Sequence, residues 1–275
     1  MEGNYEVDRD TIWRKFQYDK SLATEDCRDL RPTRGTRTSL DSNWLNLIEA
    51  NPALRGWLGL NQPRLLLLNG RTRMKHRSEV SAVIARTCLE LLGHGEEIKV
   101  LITLCFFCGP HSSADDPLGN ANEIVLNLLS QLLDQYDEFT PDDLLECYEN
   151  TDPEQWDSVA DSFRKLLEKL PANYIVVIVV DGLNFFATPI ARKTETRAVV
   201  TRLVQIWRAR PAAMLKLLFS TPSHAEFVED LFDSHEILNL PREVRRPGRP
   251  QLRRGSPLSN ELARWFYDTD SLENE

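Results

Sequence analysis

The chain has 275 residues, enough for one large domain or two small ones. It is 41% hydrophobic and 27% charged, with a net charge of −9, a balance that argues against a general binder of nucleic acid or anionic membrane. The charge is uneven: no Lys or Arg lies between Lys99 and Arg164, fourteen Asp and Glu fall there from Asp115 to Asp161, and the rest of the chain carries +5. The longest aliphatic run, Ile175 to Val180, is far short of the ~20 residues of a membrane helix. Met1 to Glu6 lacks the basic start and apolar stretch of a secretory signal. Five cysteines are an odd number for a disulfide framework, and Cys88 and Cys105, among apolar neighbours, are expected as buried reduced thiols. The expected compartment is the cytoplasm, with the nucleus as the alternative.

Residues 1–42 are polar and mixed in charge, with Pro32, Gly35 and a Thr/Arg/Ser-rich stretch. They read as a disordered arm, with an amphipathic turn allowed at Thr11–Phe16. Residues 43–59 form a helical lead-in, capped near Asp41 or Ser42 and ended by Pro52. Leu65 to Leu68, closed by Asn69-Gly70, is a short apolar run of the kind that forms a strand buried on both faces. Ser78 to Leu92 has helical spacing and is expected to stop at Gly93 and Gly95. Ile98–Cys108 is the second strand and Asn120–Leu133 the second amphipathic helix, followed by acidic helical turns to about Leu170. Tyr174–Val180 is a third strand, Thr194–Arg208 a helix, Met214–Phe219 a fourth strand. A short helix from Ser223 to Phe232 and a fifth strand at Glu236–Leu240 complete the core. Continuous apolar strands separated by helices mean a mainly parallel sheet covered on both faces, a three-layer α/β domain over residues 60–240. Residues 241–257 form an Arg/Pro-rich linker, and 258–275 a short amphipathic helix with an acidic terminus.

In parallel α/β sheets, ligands sit at the carboxyl ends of the strands. Three such ends carry chemistry here. Asn69-Gly70 leads through Arg71 to Arg77 into a helix opened by Ser78, the place where backbone N–H groups and a helix dipole hold phosphates. Asp181 ends the most hydrophobic strand, where a carboxylate can hold Mg²⁺ through water. Ser220-Thr221-Pro222 follows strand four.

In this order, Leu65–Gly70, Phe106-Phe107 with the helix through Leu128–Leu133, Val176–Gly182 and Leu217–Pro222 resemble the P-loop, Walker B and sensor elements of a NACHT-type STAND domain. The likeness covers residues 60–240 and is nearest to the degenerate nephrocystin-like versions of fungal proteins. The resemblance implies a P-loop NTPase-like fold, with Gly70, Lys75, Ser78 and Asp181 as the positional equivalents of a nucleotide site for ATP or GTP with Mg²⁺.

The sequence departs from that pattern at three stations. A working phosphate loop reads G-x-x-x-x-G-K-[ST]; from Gly70 the sixth and seventh positions are Lys75 and His76, then Arg77 and Ser78, with no second glycine. The acidic pair expected after Asp181-Gly182-Leu183 is replaced by Asn184-Phe185. Ser220-Thr221-Pro222 lacks the sensor arginine. Hydrolysis by the usual route is therefore not expected. Cys105 and Cys108 have metal or redox spacing, but one pair supplies two of four ligands and the two residues point to opposite faces of a strand, so core packing is expected. The Arg242–Arg254 run lacks interleaved aromatics for base stacking and reads as a basic tail.

The expectation is a non-catalytic P-loop NTPase-like scaffold with no cofactor, acting through protein contact; the alternative is a nucleotide-binding switch or slow NTPase with a rearranged loop. A basic protein partner is expected on the acidic 115–161 segment, nucleic acid only through Arg242–Arg254, and no membrane. With no repeat array after the core, a truncated STAND relative or a fragment of a longer product is expected.

Overall fold

The computed structural model describes residues 7–31, 40–59, 61–71, 75 and 77–243. Among these, five strands form one all-parallel sheet: β1 Arg64–Asn69, β2 Leu101–Phe107, β3 Ile175–Asp181, β4 Met214–Thr221 and β5 Ile237–Asn239, in spatial order β2-β3-β4-β1-β5. Strands β2, β3 and β4 are buried almost throughout, because a sheet covered on both faces rejects polar side chains in either direction. The period-2 alternation divides each strand between two cores. Leu67, Leu104, Ile178 and Leu217 face one side, packed under α6 Ala121–Gln135, α8 Trp156–Lys169 and α9 Ile190–Arg208. Leu66, Cys105, Val177 and Leu218 face the other, packed under α4 Pro52–Gly59 and α5 Glu79–Glu97. The three-layer α/β fold read from the sequence is therefore present.

The expected disordered arm is different over its described part. α1 Arg9–Phe16 and α2 Leu22–Leu30 are helices, and Ile12, Phe16, Cys27 and Leu30 are buried. The composition misleads because α1 docks by polar bonds as much as by apolar area. Arg9 donates to the carbonyls of Leu133 and Tyr136 (both 3.0 Å), at the end of α6. Lys15 donates to Tyr148 and Thr151 (2.7 Å to Thr151) at the end of α7 Pro141–Asn150. Each cation thus meets the unpaired carbonyls and negative dipole end of a helix. Ile12 and Phe16 join the first core, Cys27 and Leu30 the second, so the chain crosses from one face of the sheet to the other between α1 and α2.

Other boundaries shift for local reasons. Pro52 opens α4 instead of ending α3 Ser42–Glu49, since proline lacks only an N–H that a first helical turn leaves unpaired. α5 runs through Gly93 and Gly95 to Glu97; a glycine weakens a helix without ending it. The short helix after β4 is α10 Glu226–Glu229.

At the sheet edge, α6 covers the open side of β2. Gln131 accepts from the Cys105 N–H (2.9 Å) and donates to its carbonyl (2.8 Å). Gln135 does the same for Thr103, at 2.8 and 2.7 Å. Two glutamines one helical turn apart therefore complete the hydrogen bonding of an edge strand. Near the amino ends of the strands, the fully buried Lys216 of β4 donates to the Trp57 carbonyl (3.0 Å), while the Trp57 indole donates to Leu217 (3.2 Å). Burial, then the Arg64 charge, pushes the Lys216 amine down to about 7.

The expectations for Met1–Glu6, for the Pro32–Gly35 stretch, for the arginine run beyond Glu243 and for the amphipathic piece at Leu258–Tyr267 lie outside the described residues. No described helix is long and apolar enough to cross a membrane.

Candidate functional site

The carboxyl ends of β1, β3 and β4 lie side by side, where the sequence placed its candidate site. Gly70 donates its N–H to the Thr221 carbonyl (2.9 Å), and Arg71 to that of Ser223 (3.3 Å). The pairing of β1 with β4 thus continues past both strands, and those two amides are already bonded. A Cβ on Gly70 would lie 2.6 Å from the Pro222 carbonyl oxygen, 2.8 Å from Val80 Cγ2 and 2.9 Å from the Thr221 oxygen. Close backbone approach dictates this glycine. Arg71 follows in the left-handed region, φ 52°.

Lys75 and Arg77 are exposed; the loop residues at 72–74 and 76 are outside the described set. Ser78 is buried, as the N-cap of α5: its Oγ accepts from the Ser81 N–H (3.0 Å) and lies 3.0 Å from Ser81 Oγ. Asp181 is 1% exposed. Its Oδ1 accepts from Ser220 Oγ at 2.6 Å, and burial pushes its carboxyl up, against the pull of hydrogen bonds from Ser220, Ser81 and the Gly182 amide. Ser78, Ser81, Asp181 and Ser220 therefore form one internal chain of polar contacts from α5 to β4. It joins two of the predicted residues, Ser78 and Asp181. Gly70 packs on Pro222 instead, and Lys75 faces solvent.

The residues around these strand ends have structural duties. Gly182 takes φ 79°, turning the chain sharply after β3. Asn184 Nδ2 donates to the His224 carbonyl (2.9 Å) and to Ser223 Oγ, tying this turn to the segment after β4. Asn69 closes the other side: its Oδ1 accepts from the Ala225 N–H (3.0 Å) and its Nδ2 donates to Asn239 (3.1 Å).

A cluster that sequence spacing could not reveal lies beyond β2. The buried His111 ring is held between two carboxylates, Nε2 3.0 Å from Asp26 and Nδ1 3.0 Å from Asp116. Burial works against a charged imidazole, but the two carboxylates outweigh it and raise His111 above its ordinary value. Burial also raises Asp26, with His111 pulling back. Asp26 belongs to α2 and lies 85 positions from His111, so only the tertiary fold joins them. With both nitrogens engaged, the histidine is a clamp that fastens α2.

All five cysteines are buried free thiols, with Cys105 in one core and Cys108 in the other. Among the described residues, Asp233, His235 and Glu236 bring metal-ligating atoms together. Arg208 already lies 2.8 Å from Glu236 and 3.5 Å from Asp233, and Glu236 also accepts from the Asp233 N–H. That group is an ion pair within a capped turn.

The acidic segment is also partly compensated. Asp134 pairs with Lys20, Asp143 with Lys169, Glu146 with Lys165 and Asp161 with Arg202.

An interior strand (β1), a loop, a helix and a carboxylate-ended strand two places away, all in one parallel sheet, match a P-loop NTPase-like fold. Among solved structures, the chain is similar to the Orc1 protein of Aeropyrum pernix, determined in complex with DNA: 16% identity, TM-score 0.45, covering 78% of this chain and 49% of that one. The chain thus spans about half the length of that protein. No family model matches the sequence, and no curated protein matches it.

Proposed function

We propose that the chain is a non-catalytic, P-loop NTPase-like scaffold that works through contact with other proteins. The observation that carries this reading is the use of the Gly70 and Arg71 amides, which bond the carbonyls of Thr221 and Ser223 where a phosphate loop would leave N–H groups for its ligand. The remaining candidates support it. Ser78 Oγ is engaged as a helix cap, and Asp181 is buried in a bond with Ser220. Among the described residues, Ser78 and Asp181 as bonded do not fit a magnesium nucleotide. The order of the four sequence stretches supports kinship with degenerate NACHT-type domains.

The test is titration of the purified full chain with a fluorescent ATP analogue in the presence of Mg²⁺. The expected result is no saturable binding in the micromolar range, and no phosphate release. Micromolar binding lost in Lys75→Ala would establish the alternative, a nucleotide switch using Lys75, Ser78 and Asp181. Saturable phosphate release would overturn the non-catalytic reading outright.

A further inference from the structure

Where the chain crosses from α1 to α2 it leaves a cleft of about 970 Å³ against the first half of α6. Its floor is Glu123, Leu126, Asn127 and Ser130, the i, i+3, i+4, i+7 face of one helix. Tyr18 and Asp19 form one wall, Glu154 and Trp156 the other, and Glu195 of α9 stands at the rim. Four carboxylates thus arrive from four separate elements. Among the described residues none of the four has an ion-pair partner.

Lys15 also lines the cleft, but its ammonium is bonded to the carbonyls of Tyr148 and Thr151. Among the described residues, the Asp19 carboxylate accepts only from the N–H and hydroxyl of Ser21 in its own turn, both at 2.8 Å. Burial raises the Glu123 carboxyl, with the His111 charge pulling back, and its Oε2 accepts only a long bond from Asn127 Nδ2 (3.3 Å) among the described residues. Asn122 adds a buried side-chain oxygen that accepts no hydrogen bond. Concave walls of low dielectric strengthen such a negative field, and the half-buried Tyr18 and Trp156 add aromatic rings to the lining, a residue type against which a guanidinium stacks.

We propose that this cleft is the docking groove for an arginine- or lysine-bearing peptide segment of a protein partner. The proposal rests on the scaffold reading and gives it a surface. The basic partner expected on residues 115–161 is thereby directed to Glu123 and Glu154 of that segment, with Asp19 and Glu195 from outside it. Several other acids of the segment are already paired. The floor from Glu123 to Ser130 is about 10 Å long, the span of roughly three extended residues. A short basic motif fits.

The test uses the full chain and a fluorescein-labelled hexa-arginine peptide, followed by fluorescence anisotropy. Binding is expected, weakening as salt rises. The variant Glu123→Gln/Glu154→Gln/Glu195→Gln should bind at least about tenfold more weakly. A charge-matched control, Asp137→Asn/Asp142→Asn/Glu149→Gln, removes three exposed acids outside the cleft and should change affinity less than about twofold. Equal losses in the two variants would reduce the effect to net charge and overturn the groove, as would failure of the peptide to bind. Peptide binding that appears only after Arg242, Arg245, Arg246, Arg249, Arg253 and Arg254 are changed to Gln would assign the groove to the chain's own tail and overturn the partner proposal. Nucleotide titration of the same samples separates the two readings. Loss of peptide binding without nucleotide binding removes only the groove; micromolar nucleotide binding removes the scaffold.

Discussion

At the carboxyl ends of β1, β3 and β4, polar side chains are answered from within the domain: Asp181 by Ser220, Ser78 by Ser81, Asn184 by Ser223 and His224. In the cleft beside α6, four carboxylates line one concavity with no cation paired to them among the described residues. The first region has the position of a ligand site and the bonding of a core. The second lies outside the stretches that resemble a nucleotide site, and its carboxylates are left without ion pairs among the described residues, as the proposed groove requires. Position within a fold is therefore a weaker guide to function than the state of the hydrogen-bond and charge ledger at the residues concerned.

The sharpest way to break this contrast is Gly70→Ala. If the loop end is packed core, the added methyl meets two backbone oxygens inside 3 Å, and urea denaturation should show a loss of about 2–3 kcal/mol. A variant of native stability would mean the region is loose enough to admit a ligand. The double substitution Arg9→Ala/Lys15→Ala tests the cleft wall. It removes charged donors from the ends of α6 and α7 and should cost about 2 kcal/mol, with limited proteolysis newly cutting between Phe16 and Leu22. An unchanged proteolytic pattern would show that the wall does not depend on these contacts.

The smallest effect is expected from Glu123→Gln. Burial holds this carboxyl above its ordinary value of 4.5, so the folded chain retains a proton longer than the unfolded one. Wild-type stability therefore falls as pH rises from about 4.5 through the raised folded value, and the cost is fully present at pH 7. The variant should gain under about 1 kcal/mol at pH 7, and the gain should vanish below pH 4.5. A loss at pH 7 would show that Glu123 already has a stabilising partner in the free protein.

The strands were legible because their runs are short, continuous and closed by Asn69-Gly70 or Asp181-Gly182. The parallel, two-sided burial follows from that pattern alone. The arm was not legible. Its docking depends on Arg9 and Lys15 finding helix-terminal carbonyls more than a hundred residues away, and a composition count scores those cations as solvent-seeking. The candidate site was legible as positions and misleading as chemistry: Gly70 carries the same letter whether it wraps a phosphate or clears Pro222. Asp19, Glu123, Glu154 and Glu195 share no spacing rule, so only folding assembles them.

The glutamine pair on β2 has a consequence for assembly. An unpaired edge strand is a template onto which a strand from another molecule can add. Gln131 and Gln135 consume the outward N–H and carbonyl groups of Cys105 and Thr103, and β5 at the opposite edge is only three residues long. The sheet is thereby guarded against strand-by-strand polymerisation, the first step toward an amyloid-like stack.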